Sequence, residues 1–347
     1  MKLKISQLLG KNKKQRLVIL AGDIGGTKTN LGYFELEAGS FTSKKVFNFQ
    51  NADYPEFASI LKRFLKDHPV HFQAACFGIA GPVIKGVCRT TNLPWVVDTA
   101  KLKKHLGIKT VALINDMEAT AYGIGTLPKK ALVELNPGRP VAQGNIAVIA
   151  AGTGLGEGML FWEGQYYRAV ASEGGHSDFG PRNDLELDLC KFLLKKYGHS
   201  SYERVLSGPG LLNIYDFLKS RNFATEPDWL KKEMAHADPS SVISRCALEK
   251  RDKLCIKALD MFCAIYGAEA GNLGLKVLAL GGIFVGGGIA PKIISKLQDG
   301  VFRKAFLQKG RFSKFLSRIP VHAILEEKTA LHGAAVFALR LKLKGEI

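Results

Sequence analysis

The first regular pattern in the chain is a continuous apolar run, Leu17-Val18-Ile19-Leu20-Ala21, which reads as a buried strand. A glycine-rich stretch follows, and then a short aromatic segment, residues 30–36, reads as a second strand. The same order recurs later. Residues 145–151 are an apolar strand, residues 152–158 are "GTGLGEG", and residues 159–162 and 165–170 read as two further strands. Each of these units opens a mixed α/β segment. After the first, the pattern predicts strand 41–49, helix 54–66, strand 72–79, helix 98–106 and strand 110–114. After the second it predicts helix 183–197, with Asn183 and Glu186 spaced as a capping box, a long helical region 252–275 and a strand 277–280. Two α/β domains, each starting with a hairpin whose Gly/Thr turn faces a shared cleft, suit a ligand with phosphates.

Composition narrows the class. The 347 residues are 46% hydrophobic and 23% charged, which is the balance of a globular protein with room for two cores. No apolar stretch reaches bilayer length, so no membrane insertion is expected. Six cysteines (76, 88, 190, 246, 255 and 263) form neither C-x-x-C nor C-x-C, and read as buried, reduced thiols of a cytoplasmic protein rather than a zinc site. Net charge is +18, of which six positive charges lie in residues 1–16, a stretch with no acid and no secretory h-region. Lys309, Arg311, Lys314 and Arg318 form a second basic stretch. No aromatic-interleaved motif accompanies this charge, so it reads as solvated surface and a basic tail rather than a nucleic-acid site.

The turns carry the candidate chemistry. "AGDIGGTKTN" (21–30) resembles a G-x-x-x-x-G-K-[ST] phosphate loop, with Gly22, Lys28 and Thr29 in place but Thr27 where glycine is required. It joins strand to strand and opens no helix, which argues against that loop and leaves a backbone turn able to hold a phosphate. "GTGLGEG" fits G-x-G-x-x-G poorly, because position 157 is Glu, and it also lacks the following helix. A third cluster, Gly286-Gly287-Gly288, reads as a strand end followed by a helix with Ile289, Ile293 and Ile294 on helical spacing. Either it lets a strand and helix pack closely, or its backbone N–H groups and flat surface accept a nucleotide.

Three stretches hold candidate side chains. In "VALINDMEAT" (111–120), Asn115 and Glu118 can form a capping box, a job that does not use Asp116, and a carboxylate there can accept a proton from a substrate hydroxyl. In "SEGGHSDFGP" (172–181), Gly174-Gly175 and Pro181 argue against a helix that would aim Glu173 and His176 at a metal. The stretch is then either a connector with capping polar residues or a polyol-binding loop. In "SSYERVLSGPG" (200–210), Glu203 precedes a Ser-Gly-Pro-Gly turn and by itself reads as a surface residue.

Taken together, these stretches resemble the bacterial glucokinases of the hexokinase–actin–sugar kinase superfamily. The likeness runs from Leu17 nearly to the end, with the motifs in family order: "DIGGTKTNLG", "TNLPW", "INDMEATAYGI", "AAGTGLGEG", "SEGGHSDFGP", "YERVLSGPGL", "GGIFVGGGIAPKI" and "LHGAA". The resemblance implies two actin-like (ribonuclease H-like) α/β domains with mixed sheets flanking a cleft. The smaller would span 17–126 with 327–347 and the larger 127–326, with 1–16 as a basic extension. It implies phosphorylation of glucose by ATP and Mg²⁺ at the 6-hydroxyl. Asn92, Asn115, Asp116, Glu173, His176 and Glu203 would bind the sugar, with Asp116 as base. Asp23 would organise hydrated Mg²⁺; Gly25, Gly26 and Thr27 with Gly152, Thr153 and Gly154 would hold the phosphates; Gly287 and Gly288 would meet the adenosine.

Two features depart from relatives. The C-x-C-G-x-x-G-C zinc motif of the related repressor/kinase branch is absent, and the basic extension has no counterpart. A sugar-sensing regulator would need a helix-turn-helix, for which sixteen residues before the first strand are too few. An actin-like polymerising ATPase would have no use for the Glu173, His176 and Glu203 set. Hexose breadth, donors other than ATP and a homodimer stay open.

Overall fold

The computed structural model describes residues 16–38, 40–90 and 93–344. They divide into two units. The first comprises the chain up to Lys129, Ala169–Ala171 and the chain from Glu326; the second comprises Lys130–Arg168 and Ser172–Leu325. Among the described residues no helix is long and apolar enough to cross a membrane.

In the first unit the strands are β1 (Leu17–Ile24), β2 (Lys28–Glu37), β3 (Ser40–Gln50), β4 (Ala74–Ile79), the short β5 (Val83–Ile84), β6 (Val87–Arg89) and β7 (Val96–Asp98), and β8 (Val111–Asn115). The main sheet has the order β3-β2-β1-β4-β8. β2 runs antiparallel to β1, and β4 parallel to it. Central position explains the unbroken apolar runs of β1 and β4, whose residues are buried on both faces. β3, at the edge, is mostly exposed and carries Lys44 and Lys45, which discourage pairing with another chain.

Helix α1 (Phe57–Asp67) buries Phe57, Ile60, Leu61 and Phe64, one face at helical spacing, against that sheet. It starts three residues later than the pattern predicts. Tyr54 precedes Pro55 and is held extended (φ −133°, ψ 134°), so the helix cannot begin there. Helix α2 (Thr99–Leu106) is capped by Asp98, whose carboxylate accepts from Ala100 N–H at 2.7 Å. Helix α3 (Asp116–Gly123) follows β8 directly. The C-terminal helix Thr329–Lys344 crosses α3 at Gly333, where any side chain would overlap the Ala119 carbonyl.

The second sheet, of order β12-β11-β10-β13-β14-β9, is formed by β9 (Leu132–Asn136), β10 (Ile146–Ala151), β11 (Leu155–Trp162), β12 (Tyr167–Ser172), β13 (Gly282–Gly286) and β14 (Val321–Ile324); all of it lies in the second unit except residues 169–171 of the edge strand β12. The helices α4 (Asp184–Tyr197), α5 (Gly208–Ser220), α6 (Asp228–His236), α7 (Pro239–Leu248) and α8 (Lys253–Lys276) supply most of a large apolar core. α8 is buried along most of its 24 residues, which is why its sequence is apolar all round.

Four expectations need correction here. Residues 277–280 are not a strand. They close α8 in a turn in which Leu278 has φ 48° and is exposed, and the strand begins at Gly282. A four-residue apolar run does not distinguish the two. Residues 287–293 are turns, and only the four residues Ile294–Leu297 are helical, so no helix N-terminus lies at the triple glycine. The capping box of α4 is half made. Asn183 accepts from Glu186 N–H at 3.0 Å, but the Glu186 carboxylate turns to Arg182 instead. Ser207-Gly208-Pro209-Gly210 is the start of α5 rather than a free turn.

Candidate active site

The first hairpin turns at Gly25, Gly26 and Thr27, between β1 and β2. Gly25 N–H donates to Lys28 O at 3.0 Å. The turn is gripped from behind by Asn51, which is 2% exposed. Its side-chain amide donates to Gly25 O at 2.8 Å and accepts from the Thr29 hydroxyl at 2.7 Å, and its backbone N–H donates to Thr27 O at 2.9 Å. Three bonds to one buried residue, two through its side-chain amide and one through its backbone N–H, pin a turn that glycine would otherwise leave loose. Asp23 precedes this turn. Burial pushes its carboxyl above the ordinary value, although Asn30, donating at 3.3 Å, and the Lys28 charge pull the other way. A carboxylate desolvated in this manner is suited to a cation.

Asn115 and Asp116 stand where β8 meets α3. Asn115 is buried, and its side chain accepts from Met117 N–H at 2.8 Å while Glu118 accepts from Asn115 N–H at 3.0 Å. The capping box read from the sequence is therefore formed. Asp116 also accepts from Met117 N–H, at 2.9 Å, so the two side chains share this donor. The Asp116 side chain is half-buried, on a helix seated closely on the sheet, since Gly78 of β4 faces Ala119 and the Asp116 Cα. Asn92, the remaining sugar candidate of this unit, lies outside the described residues, as do residues 1–15 of the basic extension.

The second hairpin turns at Gly152, Thr153 and Gly154, between β10 and β11, with Gly152 N–H donating to Gly154 O at 2.8 Å. Gly152 O accepts from Gly208 N–H at 2.8 Å, so the first turn of α5 abuts this hairpin. Ser207 caps α5, accepting from Gly210 N–H at 3.0 Å. A helix N-terminus beside the turn adds positive potential there. Ser at the cap and Pro in the first turn were the sequence signals for it.

Glu203 belongs to this hairpin as much as to its own loop. Its carboxylate accepts from Leu155 N–H at 2.9 Å, in space that only a glycine at 154 leaves open. Residues 173–179 and 200–203 run alongside one another. Glu203 N–H donates to Gly175 O at 2.8 Å and Tyr202 N–H to Ser177 O at 3.0 Å. This pairing brings His176 Nδ1 to 4.0 Å from the Glu203 carboxylate. Gly174–His176 is a single 3-10 turn, and the Glu173 and His176 side chains are exposed. Within this unit the structure thus brings Glu173, His176 and Glu203 together with Gly152–Gly154.

Gly287 and Gly288 are exposed beside the same hairpin. Gly287 has φ +84°, and a side chain there would overlap the Ala151 carbonyl, which accepts from Ile289 N–H at 3.2 Å. Below them the buried Tyr266 of α8 accepts from Ala151 N–H at 3.1 Å and lies within donating distance of Ile149 O and Gly286 O. Its hydroxyl ties β10 to β13 where the strands end. Neither Tyr266 nor Asn51 carried a local signal, because each acts on a strand distant in sequence.

Two α/β units, each carrying a strand, a Gly/Thr turn and a second antiparallel strand, give the chain the fold of the actin-like sugar kinases. The Glucokinase family model matches residues 20–341. A glucokinase of Nostoc punctiforme is 44% identical over 339 residues, covering 93% of this chain and 99% of that protein. A glucokinase of Escherichia coli is 35% identical over 316 residues, covering 91% and 95%. Among solved structures, a glucokinase from an Antarctic psychrotroph superposes with a TM-score of 0.81 at 31% identity, covering 93% of this chain and 99% of that one. A ROK family glucokinase of Streptomyces griseus, crystallised with glucose and AMPPNP, shares the fold with a TM-score of 0.63 at 21% identity, covering 92% and 99%. The chain belongs to the glucokinase family.

Proposed function

We propose that the chain transfers the terminal phosphoryl group of ATP to the 6-hydroxyl of glucose, with Asp116 as the general base. The observation that carries this reading is the double attachment of Glu203. One carboxylate holds the second phosphate-type hairpin through Leu155 N–H and stands beside His176 of the polyol loop. A hydrolase that used only ATP would gain nothing from that arrangement.

Phosphoryl transfer asks the protein for in-line positioning and charge neutralisation more than for covalent chemistry. In this reading the backbone N–H groups of Gly25, Gly26 and Thr27 and of Gly152, Thr153 and Gly154 hold phosphate oxygens. Gly287 and Gly288 pass along the adenosine. Asn115, Glu173, His176 and Glu203 orient the sugar, joined by Asn92. Asp116 accepts the proton of the attacking hydroxyl. Asp23 would hold hydrated Mg²⁺, and its half-buried carboxylate fits a cation because desolvation raises the cost of its own charge. Bound there, Mg²⁺ spreads the charge of the phosphates.

A coupled assay over a panel of hexoses and phosphoryl donors tests this. Glucose-dependent ADP release, strongest with glucose and ATP, is expected. ADP release indifferent to added sugar would sink the proposal and favour an ATPase.

A further inference from the structure

Beneath the polyol loop lies a buried acid pair that the catalytic reading does not use. Glu157 occupies an inward position of β11, two residues after Leu155 and on the same face, and is 2% exposed. Glu269 of α8 is fully buried and faces it within hydrogen-bonding reach. Both Glu269 oxygens have donors: Asn272 on one at 2.7 Å and the Lys276 ammonium on the other at 3.0 Å. The Tyr202 phenol also lies in hydrogen-bonding reach of Glu269 and accepts from Asn272 at 2.9 Å. Glu157 Oε1 is buried and, among the described residues, has no donor.

Two carboxyl groups in contact cannot both be ionised away from water without a large cost, and one shared proton removes it. Because Glu269 is already served by an ammonium and an amide, that proton belongs to Glu157. Burial first, and the Glu269 charge second, push the Glu157 carboxyl up to about 7. The other charged or titratable groups facing the pair are Lys276 of α8, Lys309 beyond the helix Val301–Leu307, Tyr202, and Tyr266 of α8. Lys309 donates to Asn272.

The other Glu157 oxygen, Oε2, fills the space where a side chain on Gly174 would be. Gly174 begins the 3-10 turn that ends at His176, and its N–H is held by the Ser172 hydroxyl at 2.8 Å. The floor of the turn is therefore the Glu157 carboxyl. At its other end the same network reaches Tyr202, the residue before Glu203. We propose that Glu157 is a positioning residue for the sugar: hydrogen-bonded to Glu269 through a single proton, it supports the Gly174–His176 turn and so fixes Glu173 and His176. This rests on the assignment of those two side chains to glucose.

Loss of the proton places two like charges in contact under the turn. Glucose KM is then low below the ionisation of Glu157 and rises above it, while ATP KM stays level. The experiment measures both KM values from about pH 6 to about pH 8.5 for the wild type, Glu157→Gln and Glu269→Gln. The wild-type glucose KM is expected to rise about fivefold or more across that range. Glu157→Gln, neutral and of the same shape, should hold a nearly flat glucose KM. Glu269→Gln removes the neighbouring charge and should move the inflection to lower pH. It also keeps the proposal testable if Glu157→Gln does not fold. Parallel profiles for wild type and Glu157→Gln, or an unmoved inflection in Glu269→Gln, overturn the proposal. Failure of the underlying sugar assignment has a different signature: Glu173→Gln would then leave glucose KM unchanged at every pH.

Discussion

The two glycine hairpins have the same local design and opposite surroundings. In both, a buried strand ends in a Gly-Thr turn and returns antiparallel. The first turn is held by a neutral amide, Asn51, and has the desolvated Asp23 before it. The second is held by a carboxylate, Glu203, and by the capped start of α5. An amide clamp fixes shape and brings no charge, which suits the phosphate and cation proposed for the first hairpin. A carboxylate clamp would repel phosphate if nothing opposed it. The α5 N-terminus opposes it, and one Glu203 oxygen is engaged by Leu155 N–H. The second hairpin is in this way mechanically joined to the loop of Glu173 and His176, the proposed sugar loop.

The largest effect expected bears on the chemistry that neither hairpin supplies. Asp116→Ala should lower kcat by on the order of 10²–10⁴, the usual worth of a general base. Stability should fall by less than about 1 kcal/mol, because Asn115 and Glu118 keep the cap. Melting temperature, ATP affinity and kcat on one preparation check it; turnover within tenfold of wild type would remove Asp116 as the base.

Next comes Glu203. Glu203→Gln keeps an acceptor for Leu155 N–H and should weaken glucose by about 1.5–3 kcal/mol, the range for hydrogen bonds to charged groups, with ATP KM little changed. Glu203→Ala also frees Leu155 N–H, so it should raise both KM values. Calorimetry with glucose and with an ATP analogue separates the cases. Equal effects of the two variants would break the idea that this carboxylate serves two ligands.

Asn51→Ala should be the mirror image. Two groups, the half-buried Gly25 O and the buried Thr29 hydroxyl, lose their partner, at a cost of about 1–3 kcal/mol in stability. ATP KM should rise and glucose KM should hold, as steady-state kinetics below the lowered melting temperature will report. A matching rise in glucose KM would mean that the first hairpin is coupled to the sugar after all.

The smallest structural effect is expected at Gly152. A Cβ there meets nothing closer than Gly288 N at 4.0 Å, so Gly152→Ala should change stability by no more than about 0.5 kcal/mol. Any rise in ATP KM then reports loss of room for phosphate. An unaltered ATP KM would take Gly152 out of the proposed phosphate turn.

Much of this was legible along the chain. The apolar runs marked β1 and β10, and the Asn115 to Glu118 spacing marked the cap of α3, because strand burial and capping depend on residues a few positions apart. The turn between α8 and β13 was misread for the same reason. Within four apolar residues, Val277 and Ala279 are buried at a helix end while Leu278 is exposed, and no local rule separates this from a strand. Glu203 looked like a surface residue, since its partner Leu155 is 48 positions away.

The sequence by itself determined that β1 and β10 are buried strands, that each ends in a glycine turn and that Asn115 and Glu118 cap α3, because backbone hydrogen bonding and side-chain periodicity are short-range. Only the tertiary structure decided that Asn51 grips Gly25 across 26 positions, that Tyr266 joins β10 to β13, and that Glu157 meets both Glu269 and Gly174. A polar group acquires its role from what shares its buried space. That depends on sheet order and helix packing, which bring distant segments within about 3 Å, the reach of a hydrogen bond.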